Sequence, residues 1–172
     1  MNQVEYFGRG PAENYLDRNA GSMIGLYKST AEELYFPYVR PQENGHHTDT
    51  RWVSLSTGKK GLLIQADNTI GFNALRNSIE DFDDEEATGL PRQWSNFTPE
   101  QVANHDEAAA KNVLRRQHHI NDITPRDFVE VCVDLKQQGV AGYDSWGSRP
   151  EPAYTLPANR EYNWGFTLIP LK

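Results

Sequence analysis

Residues 128–135 read FVEVCVDL, and this stretch decides the class of fold. Hydrophobic residues occupy every second position from Val129 to Leu135, while Glu130 and Asp134 fall between them. Successive side chains of a β-strand point to opposite faces of the sheet, so this period of two predicts a strand with one buried face.

The rest of the chain repeats this kind of pattern. Near the C-terminus, Tyr162, Trp164, Phe166 and Leu168 alternate in the same way. Shorter strand candidates are residues 4–7, 23–27, 52–55, 61–65 and 71–75. Gly, Pro and Asn residues punctuate them, and many short strands with regular turn signals predict an all-β fold, an antiparallel β-sandwich.

Helix is predicted in one or two short segments only. Thr98 is a suitable cap, Pro99 suits the first helical position and Gln101 completes a capping box. Residues 106–116 form the second candidate. Residues 80–86 carry six acids in seven positions and are predicted to form a solvated loop, with cation binding as the alternative.

Composition limits the partners. The 172 residues suffice for a single domain over residues 1–172, and aromatic residues reach 11%, so the core is expected to rely on large rings, tryptophans among them. The net charge of −7 disfavours nucleic acid and anionic membrane surfaces, whereas neutral sugars stay open as partners. No apolar run approaches the roughly 18 residues that span a membrane.

Cys132 is the only cysteine, so no internal disulfide can form. Its neighbours Val131 and Val133 predict a thiol in the core rather than a reactive one.

Two polar motifs combine glycine, proline, acids and amides. They are GRGPAENY at residues 8–15 and RPQENG at residues 40–45. The first interpretation is that Glu13, Asn14, Glu43 and Asn44 hydrogen-bond to loop backbones. The alternative makes Glu13 and Glu43 a catalytic acid and nucleophile. Nothing in the spacing brings the two glutamates together, which favours the first interpretation.

Two histidine pairs, His46-His47 and His118-His119, invite a metal-site hypothesis. Adjacent residues of a strand point to opposite faces, so neither pair can easily share one ion. We therefore predict surface histidines and no metal ligands.

Residues 139–147, GVAGYDSWG, present a tryptophan among small and polar residues. Trp146 on such a loop can stack on the C–H face of a hexose while polar neighbours bind hydroxyl groups. The alternative is a ring folded back to plug one end of the sandwich. The sequence physics leaves both interpretations open.

Taken together, these motifs resemble the C-terminal domain of family 2 glycoside hydrolase β-galactosidases, called the small chain where the enzyme is split. The matching stretches are GRGPAENYLDR (8–18), PYVRPQENG (37–45) with TDTRW (48–52), and DSWG (144–147). They occur in family order along essentially the whole chain. The sequence departs from the family pattern at residues 141–143, where the family has two glycines and an acid, and in a longer acidic region around residues 81–89.

The resemblance implies an enzyme that hydrolyses terminal β-D-galactosides such as lactose with retention. Its two catalytic glutamates lie on a (β/α)8 barrel upstream, so no catalytic residue is expected here, and Trp146 corresponds to the tryptophan that lines the leaving-group subsite. Mg²⁺ and a monovalent cation are implied for the barrel, and a homo-oligomer for the parent enzyme; cytoplasm and periplasm both stay open as its location.

The family domain is a large mutarotase-like sandwich, a supersandwich of which this chain is expected to form only part. Apolar faces that the rest of the enzyme covers should then be exposed. Two alternatives stay open: a free-standing carbohydrate-binding module that uses Trp146, and a small hydrolase that uses Glu13 and Glu43.

Overall fold

The computed structural model describes residues 1–39, 42–82, 120–144 and 146–172. The chain divides into two compact units. The first comprises Met1–Phe36, Asn44–Asn77 and Pro125–Lys172, and the second comprises Pro37–Glu43 and Ser78–Thr124. The helices predicted at Thr98 and at residues 106–116, and the His118-His119 pair, lie outside the described residues.

The first unit contains an antiparallel sheet. Its strands are β1 (Gln3–Gly10), β2 (Met23–Thr30), β3 (His47–Ser56), β4 (Gly61–Leu75), β5 (Glu130–Asp134) and β6 (Phe166–Leu171). Five of the six strands run in the order β2-β1-β3-β4-β5, and β6 pairs with β4 along the edge opposite β3. The predicted all-β class is confirmed, and the sheet is consistent with a β-sandwich.

Strand β4 corrects one sequence prediction. Residues 61–65 and 71–75 were expected to form separate strands, but they belong to one strand of 15 residues. Its first half pairs with β6 and its second half with β5. Gly71 continues the strand, where it pairs with Asp134 of β5. This position requires glycine because a Cβ there would overlap the ring of His46.

One face of the sheet carries the core. Tyr6 lies opposite Val53 of β3, and Val53 lies opposite Ile64 of β4. All three are at most 3% exposed. The rings of His47 and Phe72 contact Tyr6 edge-on, at centroid distances of 4.9 and 5.1 Å. The core therefore uses rings as predicted.

The three tryptophans in the described part of the chain do not lie in the core, although we expected tryptophans among its rings. Trp146 and Trp164 are 94% and 45% exposed, and Trp52 is half-buried.

The stretch that predicted the fold forms a shorter strand than expected. β5 covers Glu130–Asp134, and all five residues are half-buried rather than alternately buried and exposed. Cys132 is therefore half-buried too, not the core thiol that we predicted. Among the described residues, β5 ends the strand order and pairs with β4 alone.

Hydrophobic side chains remain uncovered elsewhere in the sheet. Phe7 lies between Leu26 of β2 and Trp52 of β3, on the face opposite Tyr6. Phe7 and Leu26 are 37% and 59% exposed. In β6, every residue is exposed, and Leu168 reaches 54%. The alternation predicted there begins before the strand, since Tyr162 and Trp164 precede Phe166. The expectation of uncovered apolar surface is confirmed for the described residues.

In the second unit, short 3₁₀ helices span Ile79–Asp81 and Ile120–Asp122. Asp81 is only 4% exposed and its carboxylate accepts the Ser78 N–H at 3.1 Å. This part of the acidic run is therefore not the solvated loop that we predicted, and residues 83–86 lie outside the description. In the described parts of the chain, no helix is long and apolar enough to cross a membrane.

Candidate functional site

A buried polar cluster forms where β1 leads into the GRGPAENYLDR motif, and Asn14 lies at its centre. The Asn14 side chain is 0% exposed. Its Nδ2 donates to the carbonyl oxygens of Arg9 and Ala12, both at 3.1 Å. Its Oδ1 accepts the backbone N–H of Thr48 at 3.0 Å and the Thr48 hydroxyl at 2.6 Å. Asn14 thus joins the first polar motif to Thr48 at the start of β3, and its contacts with loop backbone are as predicted.

Glu13 makes a second link between the motifs. It is 5% exposed, and its Oε2 accepts the Gly45 N–H at 2.7 Å and the Tyr15 hydroxyl at 3.4 Å. Its Oε1 accepts Nη1 of Arg18 at 3.2 Å. A carboxylate held by three donors stabilises a loop. The loop-bracing interpretation is confirmed for Glu13, whereas Glu43 is exposed.

Gly45 and Asn44 complete the turn that receives Glu13. Gly45 has φ +76°, and a Cβ there would lie 2.9 Å from the Leu34 carbonyl oxygen. Only glycine adopts this conformation without strain in this space. Asn44 is 1% exposed, and its Oδ1 accepts the Phe36 N–H at 2.9 Å, so its predicted role in holding loop backbone is confirmed.

His46 and His47 are the clearest error of the sequence prediction. They were expected at the surface, but they are 1% and 0% exposed. The Nδ1 and Nε2 atoms of His47 lie 2.8 and 3.2 Å from the carbonyl oxygens of Gly45 and Pro11. His46 immediately precedes β3 and His47 begins it. The two rings pack against different neighbours, Tyr15 for His46 and Tyr6 for His47.

The His46 ring stacks on Tyr15 at a centroid distance of 5.6 Å. Within the described part of the chain, neither of its ring nitrogens has a hydrogen-bond partner. The Asp134 carboxylate is 3.9 Å from Nδ1. Burial, with the neighbouring His47, lowers the pKa of His46 from 6.5 to about 4. Burial also lowers the pKa of His47. Both rings are therefore neutral at pH 7. Across the described ranges, no group of three or more His, Cys, Asp or Glu residues is placed to hold a metal ion.

The second candidate site is the loop of residues 139–147, which follows β5. Ala141, Gly142 and Gly147 have φ angles of +55°, +88° and +87°. The Trp146 N–H donates to Oδ1 of Asp144 at 2.8 Å. The indole itself is 94% exposed. A ring that plugs the end of the sandwich would be buried, so the plug interpretation does not describe Trp146 in this chain.

Sequence reasoning missed one residue of this loop's surroundings. The carboxylate of Asp17 accepts the N–H groups of Val140 at 3.0 Å and Ala141 at 2.8 Å. Asp17 was visible only as a letter of the GRGPAENYLDR motif. A contact across 123 positions leaves no signal in periodicity or local spacing.

The comparison with known proteins covers nearly the whole chain, including the segments described above. A family model described as β-galactosidase small chain matches residues 1–168. The chain belongs to the β-galactosidase small-chain family. The resemblance carried by the polar motifs and the DSWG loop is thereby confirmed.

Curated relatives of this small chain bear the name β-galactosidase. The protein from Priestia megaterium is 34% identical over 172 residues, covering 99% of this chain and 14% of the relative. The protein from Streptococcus thermophilus is 29% identical over 170 residues, covering 98% and 14%. A protein from an Arthrobacter species is 40% identical over 84 residues, which cover 45% of this chain and 8% of the relative. The chain therefore spans a small part of the relatives that it matches.

Proposed function

We propose that this chain is the small-chain part of a β-galactosidase of glycoside hydrolase family 2. The enzyme hydrolyses terminal β-D-galactosides such as lactose with retention. This part supports the catalytic barrel and lines the leaving-group subsite with Trp146. Support comes from the 34% identity along nearly the whole chain to a β-galactosidase of which it covers 14%.

The catalytic carboxylates belong to the rest of the enzyme. A retaining glycosidase needs two carboxyl groups roughly 5 Å apart that are free to exchange a proton and attack a sugar. Glu13 is instead engaged by Gly45, Arg18 and Tyr15 in the interior of the cluster. Its removal from solvent and its three donors suit a structural carboxylate.

The observation that carries the subsite role is the exposure of Trp146. An indole that is 94% exposed costs free energy in water unless something covers it. Its loop backbone is fixed by the Asp144 carboxylate, so the ring is presented rather than collapsed. Stacking on the face of a glucose-like leaving group would contribute about 1 kcal/mol beyond area burial.

The main partner of this chain is the remainder of the enzyme. The uncovered face with Phe7 and Leu26, and the exposed strand β6, are apolar surfaces that a soluble protein normally covers. Strand edges and apolar faces of this kind are suited to packing against further strands or another domain.

Galactoside hydrolysis by the purified chain tests the proposal. The 172 residues alone should not cleave a chromogenic β-galactoside, whereas the complete enzyme should. Activity that survives rigorous purification and disappears in Glu13→Gln or Glu43→Gln would overturn the proposal in favour of an independent hydrolase.

The second candidate is a free-standing carbohydrate-binding module. The exposure of Tyr143, at 61%, near Trp146 favours it, because two exposed rings can form a sugar platform. Calorimetric titration of the isolated chain with lactose and glucose separates the candidates. The small-chain proposal expects no saturable binding, since the other wall of the subsite belongs to the rest of the enzyme.

A further inference from the structure

The turn that carries Asp17 is held from both sides. Residues 15–18 form a two-residue turn, closed by hydrogen bonds from Tyr15 N to Arg18 O at 3.3 Å and from Arg18 N to Tyr15 O at 2.9 Å. Tyr15 is 6% exposed and stacks on His46. Arg18 forms an ion pair with the buried Glu13 at 3.2 Å. Asp17 therefore projects from a fixed turn.

The Asp17 carboxylate binds the Trp146 loop through backbone groups only. Each oxygen accepts one N–H: Oδ1 that of Val140 and Oδ2 that of Ala141. Hydrogen bonds to a charged acceptor are stronger than neutral ones. Ala141 adopts φ +55°, a conformation unfavourable for a residue with a Cβ, and its hydrogen bond to Asp17 helps to hold it there.

Gly139 is fitted to the same carboxylate. A Cβ on Gly139 would lie 2.5 Å from Oδ2 of Asp17 and 2.6 Å from its Cγ. The Gly139 N–H donates to the Tyr154 carbonyl at 2.7 Å, which fixes the residue from the other side. Close approach of Asp17 to the loop thus requires glycine at position 139.

We propose that Asp17 is a positioning residue for Trp146, acting on the binding of sugar acceptors through the backbone of residues 139–144. The proposal rests on the proposed subsite role of Trp146. From Ala141 the loop continues through two internal hydrogen bonds, Tyr143 N to Ser148 Oγ at 3.2 Å and Trp146 N to Asp144 Oδ1 at 2.8 Å. Asp17 fixes the start of this segment and so sets where the indole is presented.

The test compares variants of the complete enzyme that carries this chain. Asp17→Ala removes both acceptors, and Asp17→Asn keeps one amide oxygen but places an NH₂ group opposite the other N–H. Gly139→Ala displaces the carboxylate without altering Asp17. Matched controls are Asp127→Ala, at an exposed carboxylate 3.9 Å from Arg76, and Gly21→Ala, where a Cβ meets nothing within 4 Å.

Hydrogen exchange of the loop is the first measurement. In Asp17→Ala, the amides of Val140 and Ala141 should exchange about tenfold faster, the order expected for loss of a hydrogen bond to a charged group. Asp17→Asn should give an intermediate increase and Gly139→Ala a similar increase to Asp17→Ala. In the double variant Asp17→Ala with Gly139→Ala, these amides should exchange little faster than in either single variant, because both changes break the same contact. Both controls should match the wild type.

Acceptor use is the second measurement. With glucose as galactosyl acceptor, Asp17→Ala and Gly139→Ala should raise the apparent acceptor constant about threefold to fivefold, the size of one lost stacking contact. The KM for lactose, whose glucose moiety occupies the same subsite, should rise by a similar factor, while the melting temperature should stay within about 1 °C of the wild type. A merely structural role would instead lower the melting temperature and both activities together.

The outcomes separate this proposal from the one on which it rests. Unchanged loop exchange in Asp17→Ala, or an acceptor constant equal to that of Asp127→Ala while Trp146→Ala is impaired, overturns the positioning role. If Asp17→Ala speeds loop exchange but neither it nor Trp146→Ala alters acceptor use, the subsite role of Trp146 fails, and the positioning role fails with it.

Discussion

His46 should make the stability of this chain depend on pH between about 6.5 and 4. Its buried ring has a pKa lowered to about 4, against 6.5 for the exposed residue. In this window the unfolded chain binds a proton that the folded chain excludes, so stability falls as the pH falls. The full shift corresponds to about 3 kcal/mol. By pH 4.5, which is still above the folded pKa of about 4, we expect about 2 kcal/mol of this stability to be lost.

The variant His46→Leu isolates this contribution. Leucine does not titrate and carries no buried N–H without a partner, so at pH 7.5 the variant should equal the wild type or exceed it by about 1 kcal/mol. At pH 4.5 its advantage should grow by about 2 kcal/mol.

Urea denaturation of both proteins at pH 7.5 and 4.5 measures the change. Carboxyl groups that do not contact His46 are common to both proteins, so their titration cancels in the comparison. His47 and Asp134 face the ring itself, so any change in their titration is part of the measured difference. Parallel pH dependence of the two free energies of unfolding would refute the reasoning and show that His46 gains no proton on unfolding in this window.

Three further changes test the polar cluster and the uncovered face. Glu13→Gln should lower the free energy of unfolding by about 2 kcal/mol in urea titrations, because the ion pair with Arg18 and one charged acceptor are lost; a change below about 0.5 kcal/mol would contradict the structural role. Gly45→Ala should lower the melting temperature by several degrees, since its φ of +76° and the nearby carbonyl exclude a Cβ, and an unchanged melting temperature would count against the turn. Ile24 is 44% exposed and lies two positions before Leu26 in β2, on the same face. Ile24→Lys with Leu26→Lys should reduce self-association of the isolated chain in sedimentation runs without lowering its stability; equal association would show that this face does not mediate self-association.

The sequence predicted the strands where burial is one-sided and local. Residues 4–7, 23–27 and 52–55 lie within β1, β2 and β3, because alternation and turn residues report on the immediate neighbourhood of the chain. The strand prediction failed where pairing with a distant strand, rather than the local sequence pattern, determines whether a strand continues. The region around Gly71 looked like a break, but it continues β4 because β5 pairs beside it and the His46 ring occupies the space of a side chain.

In the candidate site, too, roles set by local sequence could be predicted, and roles set by distant contacts could not. Asn14 and Glu13 could be assigned to loop backbones because their motifs combine turn residues with amides and acids. The burial of His46 and His47 could not be predicted, since it depends on contacts of their rings with residues that are distant in the sequence. The role of Asp17 could not be predicted for a related reason. It binds the main-chain N–H groups of Val140 and Ala141, and every non-proline residue has such a group, so the sequence gives no signal.

In the proposed function, Trp146 takes part in acceptor binding in a β-galactosidase of which this chain is one part. The most direct test of this role is Trp146→Ala in the complete enzyme, with the glucose acceptor constant and the melting temperature measured on the same preparation. Because the indole is 94% exposed, we predict weaker acceptor binding, by about fivefold, less transgalactosylation, and a melting temperature within about 1 °C of the wild type. A lower melting temperature with unchanged acceptor binding would contradict the claim.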